Sequence, residues 1–217
     1  MVRRSISPSQ NTFLNEQDAK GLMKAAIRDP NPVIVLENEI MYGQTFPLSP
    51  EAQSKDFILP IGKAKIERSG KDITFVTHSI NVGRCLQVAE QLKEKHNVEA
   101  EVINIRSAKP LDVDCIVDSV KKTNRVVSVD SGFPAYVTLP SPSIIPKFCQ
   151  GRVANWKGFG AEIIALVNEY CFDYLDAPPE RVTGAEVPTP YAKSLEDLAF
   201  PEESVILKAA EKALYLS

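Results

Sequence analysis

The strongest restriction on this 217-residue chain is a regular alternation between residues 72 and 132. Residues 72–77 (Asp-Ile-Thr-Phe-Val-Thr), 101–105 and 126–129 are short runs rich in Val, Ile, Phe and Thr, which read as strands. Between the first two, Val82, Cys85, Leu86, Ala89 and Leu92 recur at helical spacing. Between the second and third, Cys115, Ile116 and Val120 mark a helix over about 112–122. Strand, helix, strand, helix, strand with short links predicts an α/β fold: a mostly parallel sheet with helices on both faces. A further helix is expected from Gly158 to about Tyr170, and a last strand near Val182. A C-terminal helix from Glu202 would bury Val205, Ile206, Ala209 and Ala213.

Upstream, Asn15 can cap a helix with Glu16 and Asp18 in its first turn and Lys24 and Arg28 later, the charge order that the helix dipole favours. Asp29-Pro30-Asn31-Pro32 stops it, because proline neither continues a helix nor allows helical backbone before it. The unbroken apolar run 33–36 follows, a pattern typical of a strand in a parallel sheet covered on both faces. No sheet partner for it lies upstream in the sequence, so it is expected to present an unpaired edge. Residues 1–14 read as a disordered tail. Their arginines and serines suit a transit peptide in composition, but the apolar stripe is missing. Residues 40–62, with prolines at 47, 50 and 60, read as an interdomain linker. The main domain is placed at 63–217, with an aperiodic, proline-rich anomaly at 135–157.

A net charge of −3 with dispersed basic residues argues against nucleic acid, and no run is long enough to suggest a membrane span. The four cysteines are far apart and read as buried or free thiols. In an open parallel sheet ligands bind beyond the carboxyl ends of the strands, which singles out His78-Ser79, Arg106-Ser107 and Asp130-Ser131. The same short polar residues also serve simply to turn the chain. Gly158-x-Gly160 lacks the third glycine of a dinucleotide site. Asp29 and Asn31 put oxygens beside the open carbonyls of a helix end, as a hard cation requires. On residues alone, the plain helix stop is the simpler account.

Several blocks resemble the beta subunit of the thiamine-dependent, decarboxylating component of pyruvate dehydrogenase. They include Asp18-Ala-Lys-Gly-Leu22, Ala26-Ile-Arg-Asp29, Val35-Leu-Glu-Asn-Glu39 with Met41-Tyr-Gly43, and Pro50-Glu-Ala-Gln-Ser-Lys-Asp-Phe57. Pro60-Ile-Gly-Lys-Ala-Lys-Ile-Glu-Arg68, Phe172-Asp-Tyr-Leu-Asp-Ala-Pro178 and Arg181-Val-Thr-Gly-Ala-Glu-Val-Pro-Thr-Pro-Tyr-Ala192 continue the likeness. The branched-chain 2-oxo acid relative carries Phe-Glu-Pro-Lys where this chain has Leu36-Glu-Asn-Glu39, and matches less well.

The resemblance implies a transketolase-like C-terminal domain at 63–217. It makes residues 15–39 the last helix and strand of a pyrimidine-binding domain. It further implies oxidative decarboxylation of pyruvate with acetyl transfer to lipoyl groups, giving acetyl-CoA. Thiamine diphosphate would be shared with an alpha subunit that also holds magnesium, in an alpha2beta2 heterotetramer docked on the dihydrolipoyl acetyltransferase core in the mitochondrial matrix. The family's catalytic glutamate and histidine have no counterpart in the blocks above, so no catalytic or thiamine-binding residue is expected here, and the chain reads as N-terminally truncated. By the same resemblance Ala26, Ile27, Asp29 and Asn31 would hold potassium. The rival from another class is a non-catalytic assembly module. Because the family runs almost directly from the block matching Asp130-Ser-Gly-Phe-Pro134 into Gly158-Phe-Gly-Ala-Glu162, residues 135–157 look inserted, as a retained intron or a gene-model error would leave them.

Overall fold

A computed structural model describes residues 9–12, 15–43, 45, 47–132, 159–185 and 187–216. The chain opens with β1 (Ser9–Thr12), α1 (Glu16–Arg28) and β2 (Val33–Leu36), then a 3-10 turn at Glu39–Met41 and the short α2 (Pro50–Gln53). Next come β3 (Lys65–Arg68), β4 (Ile73–Thr77), α3 (Ile80–His96), β5 (Ala100–Asn104), β6 (Ser107–Lys109), α4 (Val113–Thr123) and β7 (Val126–Val129). Beyond the undescribed stretch lie α5 (Phe159–Cys171), a 3-10 turn at Phe172–Tyr174, β8 (Glu180–Val182), α6 (Lys193–Ala199) and α7 (Glu203–Ala213).

The main sheet has the order β3-β5-β4-β7-β8. Every pair is parallel except β3–β5, where the edge strand runs antiparallel. The expected parallel α/β sheet with both faces covered is therefore present. One face packs Ile73, Phe75, Val102, Val127 and Val129 against α3 and α7 through Val82, Leu92, Ile206 and Ala210. The other packs Val76, Ile103, Ile105 and Val126 against α4 and α5 through Ile116, Val120, Ile163 and Val167. Alternate residues of one strand supply the two faces, which is why β4, β5 and β7 are buried along their whole length.

Helix boundaries follow local chemistry. Asn15 accepts a hydrogen bond from the Asp18 amide at 2.9 Å and caps α1 as expected. Asn97 and Asn124 close α3 and α4 in the left-handed conformation, which asparagine tolerates better than most residues.

The amino-terminal region departs from expectation. Within the segment read as a disordered tail, Ser9–Thr12 forms a strand, pairing parallel with β2 and antiparallel with β6 in a sheet of order β2-β1-β6. The open edge of β2 supplies the reason: an extended neighbour satisfies backbone groups that would otherwise stay unpaired. One edge of Val33–Leu36 is thus covered, and Ile34 and Leu36 stay exposed. The connection at 40–62 is also less featureless than its prolines suggest. Ser49 caps α2, and Pro50 occupies its first turn, where its missing N–H costs nothing. The proposed insertion at 135–157 and Gly158 lie outside the described residues.

Candidate functional site

The carboxyl ends of β4, β5 and β7 deliver His78-Ser79, Arg106 and Asp130 to one edge of the sheet. The structure brings only two of these together. His78 Nε2 lies 3.5 Å from Asp130 Oδ1, and its ring meets Phe159 edge-on with centroids 5.4 Å apart. Asp130 Oδ1 also accepts from the Gly132 amide at 3.0 Å, and Oδ2 from the Gly160 amide at 3.2 Å, at the start of α5. Burial pushes the Asp130 carboxyl up. The His78 hydrogen bond, the Gly132 amide, the His78 charge and the Gly160 amide together outweigh it and hold the pKa at about 2. Asp130 is therefore ionised at neutral pH and saturated with donors. His78 Nδ1 is buried without a hydrogen-bond partner.

Ser79 carries the local strain, with φ 52° and ψ −137° at the entrance of α3. Its hydroxyl lies 3.9 Å from the sulfur of Met41 on the linker. Beside it, Asn81 Nδ2 donates to Ser131 Oγ at 2.8 Å, tying the β4 and β7 exits together. These contacts turn and lock the chain at this edge.

Arg106 turns away. It too has a positive φ, 54°, and its Nη2 lies 2.6 Å from Oδ1 of Asp18, a fully buried carboxylate on α1. Asn104 Nδ2 donates to Asp18 Oδ2 at 3.0 Å and to Glu67 Oε1 at 3.1 Å. Asn104 Oδ1 accepts from the Arg106 amide at 3.2 Å. Nothing local announces this cluster: in the sequence Asp18 reads only as a favourable first-turn acid, 88 positions from its partner.

The turn after α1 is held by short-range hydrogen bonds. Asp29 Oδ1 accepts from both the amide and the side-chain Nδ2 of Asn31, at 2.8 and 2.9 Å. The Asp29 amide reaches the Ala25 carbonyl at 3.0 Å and that of Ala26 at 3.4 Å. A second buried polar cluster occupies the opposite, amino-terminal edge. Glu101 Oε1 accepts from Ser119 Oγ at 2.5 Å, and Oε2 from the Gly70 amide at 3.2 Å and from Lys122. Thr74 Oγ1 lies 2.7 Å from both Ser119 Oγ and Thr123 Oγ1. Residues at this edge stabilise; they do not face a ligand-binding crevice.

The fold and its carboxyl edge define the class. The sequence pattern of the transketolase C-terminal domain matches residues 62–136 and 154–206, and the chain belongs to that family. The particular likeness is to "Pyruvate dehydrogenase E1 component subunit beta, mitochondrial". The Chaetomium thermophilum protein is 58% identical over 91% of this chain and 46% of its own length. The Saccharomyces cerevisiae protein is 52% identical over 91% and 48%, and the Homo sapiens protein 51% identical over 92% and 50%. The resemblance read from the blocks is borne out, and the chain spans about half the length of the curated relatives it matches. Among solved structures, one described as "Split gene transketolase, inactive beta4 tetramer" aligns with a TM-score of 0.65 at 20% identity, over 96% of this chain and 57% of that one. That likeness is one of fold.

Proposed function

We propose that the chain provides the transketolase-like C-terminal domain of a beta subunit of the decarboxylating component of pyruvate dehydrogenase. It would act in the mitochondrial matrix with an alpha subunit, a second beta subunit and the dihydrolipoyl acetyltransferase core. The observation that carries this reading is the 51–58% identity, over 91–92% of the chain, to three such subunits. Those relatives are pyruvate dehydrogenase subunits, which favours pyruvate over a branched-chain 2-oxo acid as the substrate of the assembled enzyme.

The assembled enzyme's chemistry rests on thiamine diphosphate, which supplies an electron sink when bound. The buried carboxylates at this chain's carboxyl edge do not fit a thiamine ring. Asp130 is taken by His78, Gly132 and Gly160, and Asp18 by Arg106 and Asn104.

The potassium reading fits better. Ala26, Ile27, Asp29 and Asn31 lie within one turn of the C-terminus of α1, where the helix dipole favours a cation. The Ala26 carbonyl is only loosely engaged at 3.4 Å. Asn31 turns its nitrogen to Asp29 and leaves its amide oxygen for another partner. One carboxylate among neutral oxygens suits a singly charged ion, which there would brace the turn between α1 and β2.

The test mixes the chain with alpha subunit, thiamine diphosphate, magnesium and pyruvate, measuring carbon dioxide release and co-elution. Turnover supports a catalytic subunit. A complex without turnover supports the assembly module, and the absence of both turnover and complex overturns both readings. Potassium, but not sodium, should raise the melting temperature of the chain, and Asp29→Ala should abolish the difference.

A further inference from the structure

We propose that the Asp130 carboxylate clasps the exit of β7 to the start of α5, so that the domain folds without using residues 135–157: neither their sequence nor their number is needed. Oδ1 accepts from the Gly132 amide at 3.0 Å and Oδ2 from the Gly160 amide at 3.2 Å, 30 positions further along the chain. One side chain thus holds both ends of the stretch.

Each end is also fixed by contacts of its own. On the β7 side, the Asp130 amide donates to the Val182 carbonyl at 2.9 Å and the Gly184 amide to that of Gly132 at 3.0 Å. Asn81 at the start of α3 binds Ser131 between them. On the α5 side, Phe159 meets His78 edge-on. Gly160 lies so close to the sheet that a Cβ there would sit 3.1 Å from Ser128 Oγ and 3.3 Å from Arg181 Cδ. The first turn of α5 is therefore seated on β7 and β8 directly.

The elements beyond the stretch are bound into the domain by packing. Ile163, Val167 and Cys171 of α5 complete one core, and Val182, Ile206, Ala210 and Ala213 complete the other. β8 pairs with β7 over three register positions. None of these contacts requires a particular length of chain between β7 and α5. The family pattern, which matches 62–136 and 154–206, passes over the middle of the stretch in the same way. The short route is long enough: without 135–157, Phe133, Pro134, Gly158 and Phe159 would separate the two glycines. At about 3.5 Å per extended residue, they outreach a carboxylate with a hydrogen bond on either side. The cost of closing a loop grows only slowly with its length, so the long route is tolerated too. An in-frame addition at this joint then leaves the same domain, whatever its origin.

Variants of the full chain test this. One lacks 135–157; in another a Gly/Ser segment of equal length, carrying one protease site, replaces them. Both should melt cooperatively, the first at or above the temperature of the unaltered chain and the second within a few degrees of it. After cleavage of the second, the two pieces should elute together as one particle. Adding Asp130→Asn should weaken their association about tenfold or more, since a single amide oxygen cannot take the place of both carboxylate oxygens and one buried N–H is left unpaired. Loss of cooperative melting in either length variant overturns the proposal, because the stretch would then be part of the fold. Separation of the cleaved pieces overturns it, as does an association that Asp130→Asn leaves unchanged. Failure of the uncleaved Asp130→Asn chain to fold overturns it too, since the carboxylate would then hold the domain and not the joint.

Discussion

The two edges of the main sheet treat buried polar groups in opposite ways. At the amino-terminal edge, Glu101 is inside the protein and fully furnished: Ser119, Lys122 and the Gly70 amide all donate to it. The helix-borne partners Ser119, Lys122 and Thr123 come from α4, which directly follows β5 and β6 in the chain. At the carboxyl edge, the partners come from distant segments. Asp18 meets Arg106, and Asp130 meets His78 and the start of α5. There, Ser79 and Arg106 carry positive φ angles without closing a helix as Asn97 and Asn124 do, and His78 Nδ1 and Arg106 Nε stay unpartnered, as Arg125 Nε does at the amino-terminal edge. One edge is closed mainly by α4, with Gly70 and Thr74 brought in from the neighbouring strand and its approach. The other is assembled from several pieces at a cost in strain, as binding edges commonly are.

The largest effect that would break this contrast lies at the amino edge. Glu101→Ala removes a buried acceptor and leaves Ser119 and the Gly70 amide unpaired, at about 1–3 kcal/mol each, while the half-exposed Lys122 returns to water; urea denaturation reads the loss. A cost near that of an exposed residue would show the network to be ornamental. Gly70→Ala comes next. A Cβ there would lie 2.3 Å from the carbonyl carbon of Ala100, so backbone must move, and about 3 kcal/mol should be lost.

At the carboxyl edge the Asp130 pair should show itself through pH. A carboxyl held at about 2 when folded, against 3.8 ordinarily, contributes stability that is complete above pH 4. That contribution is lost as the pH falls through 2, and amounts to about 2 kcal/mol. Asp130→Asn should therefore flatten the acid limb of the melting temperature against pH, and an unchanged limb would place the acid sensitivity elsewhere. The smallest effect is a gain. Ser79→Gly removes the positive-φ penalty and should raise stability by about 1 kcal/mol, since glycine adopts that backbone freely.

Much of the fold was legible because its signals are local. The apolar runs at 72–77, 101–105 and 126–129, and the helical spacing of Val82, Cys85 and Leu92, each report on the residues' own neighbours. Asn15 as a cap and the double-proline stop work within four residues of chain. The strand at Ser9–Thr12 was illegible for the opposite reason. Ser-Gln-Asn-Thr has no strand pattern, and only the edge of β2 recruits it. Of the three strand-end pairs singled out, His78 and Asp130 meet because β4 and β7 are neighbours. Arg106 goes instead to α1, a choice set by where that helix docks.

Period, capping and motif are written in adjacent residues, and they suffice for the parallel α/β domain, its helix ends and the family it joins. How the segments on either side of the linker are joined is set by tertiary contact: β1 pairs with β6, and a buried carboxylate meets a guanidinium 88 positions away, whose desolvation and pairing exist only once the chain has brought them together.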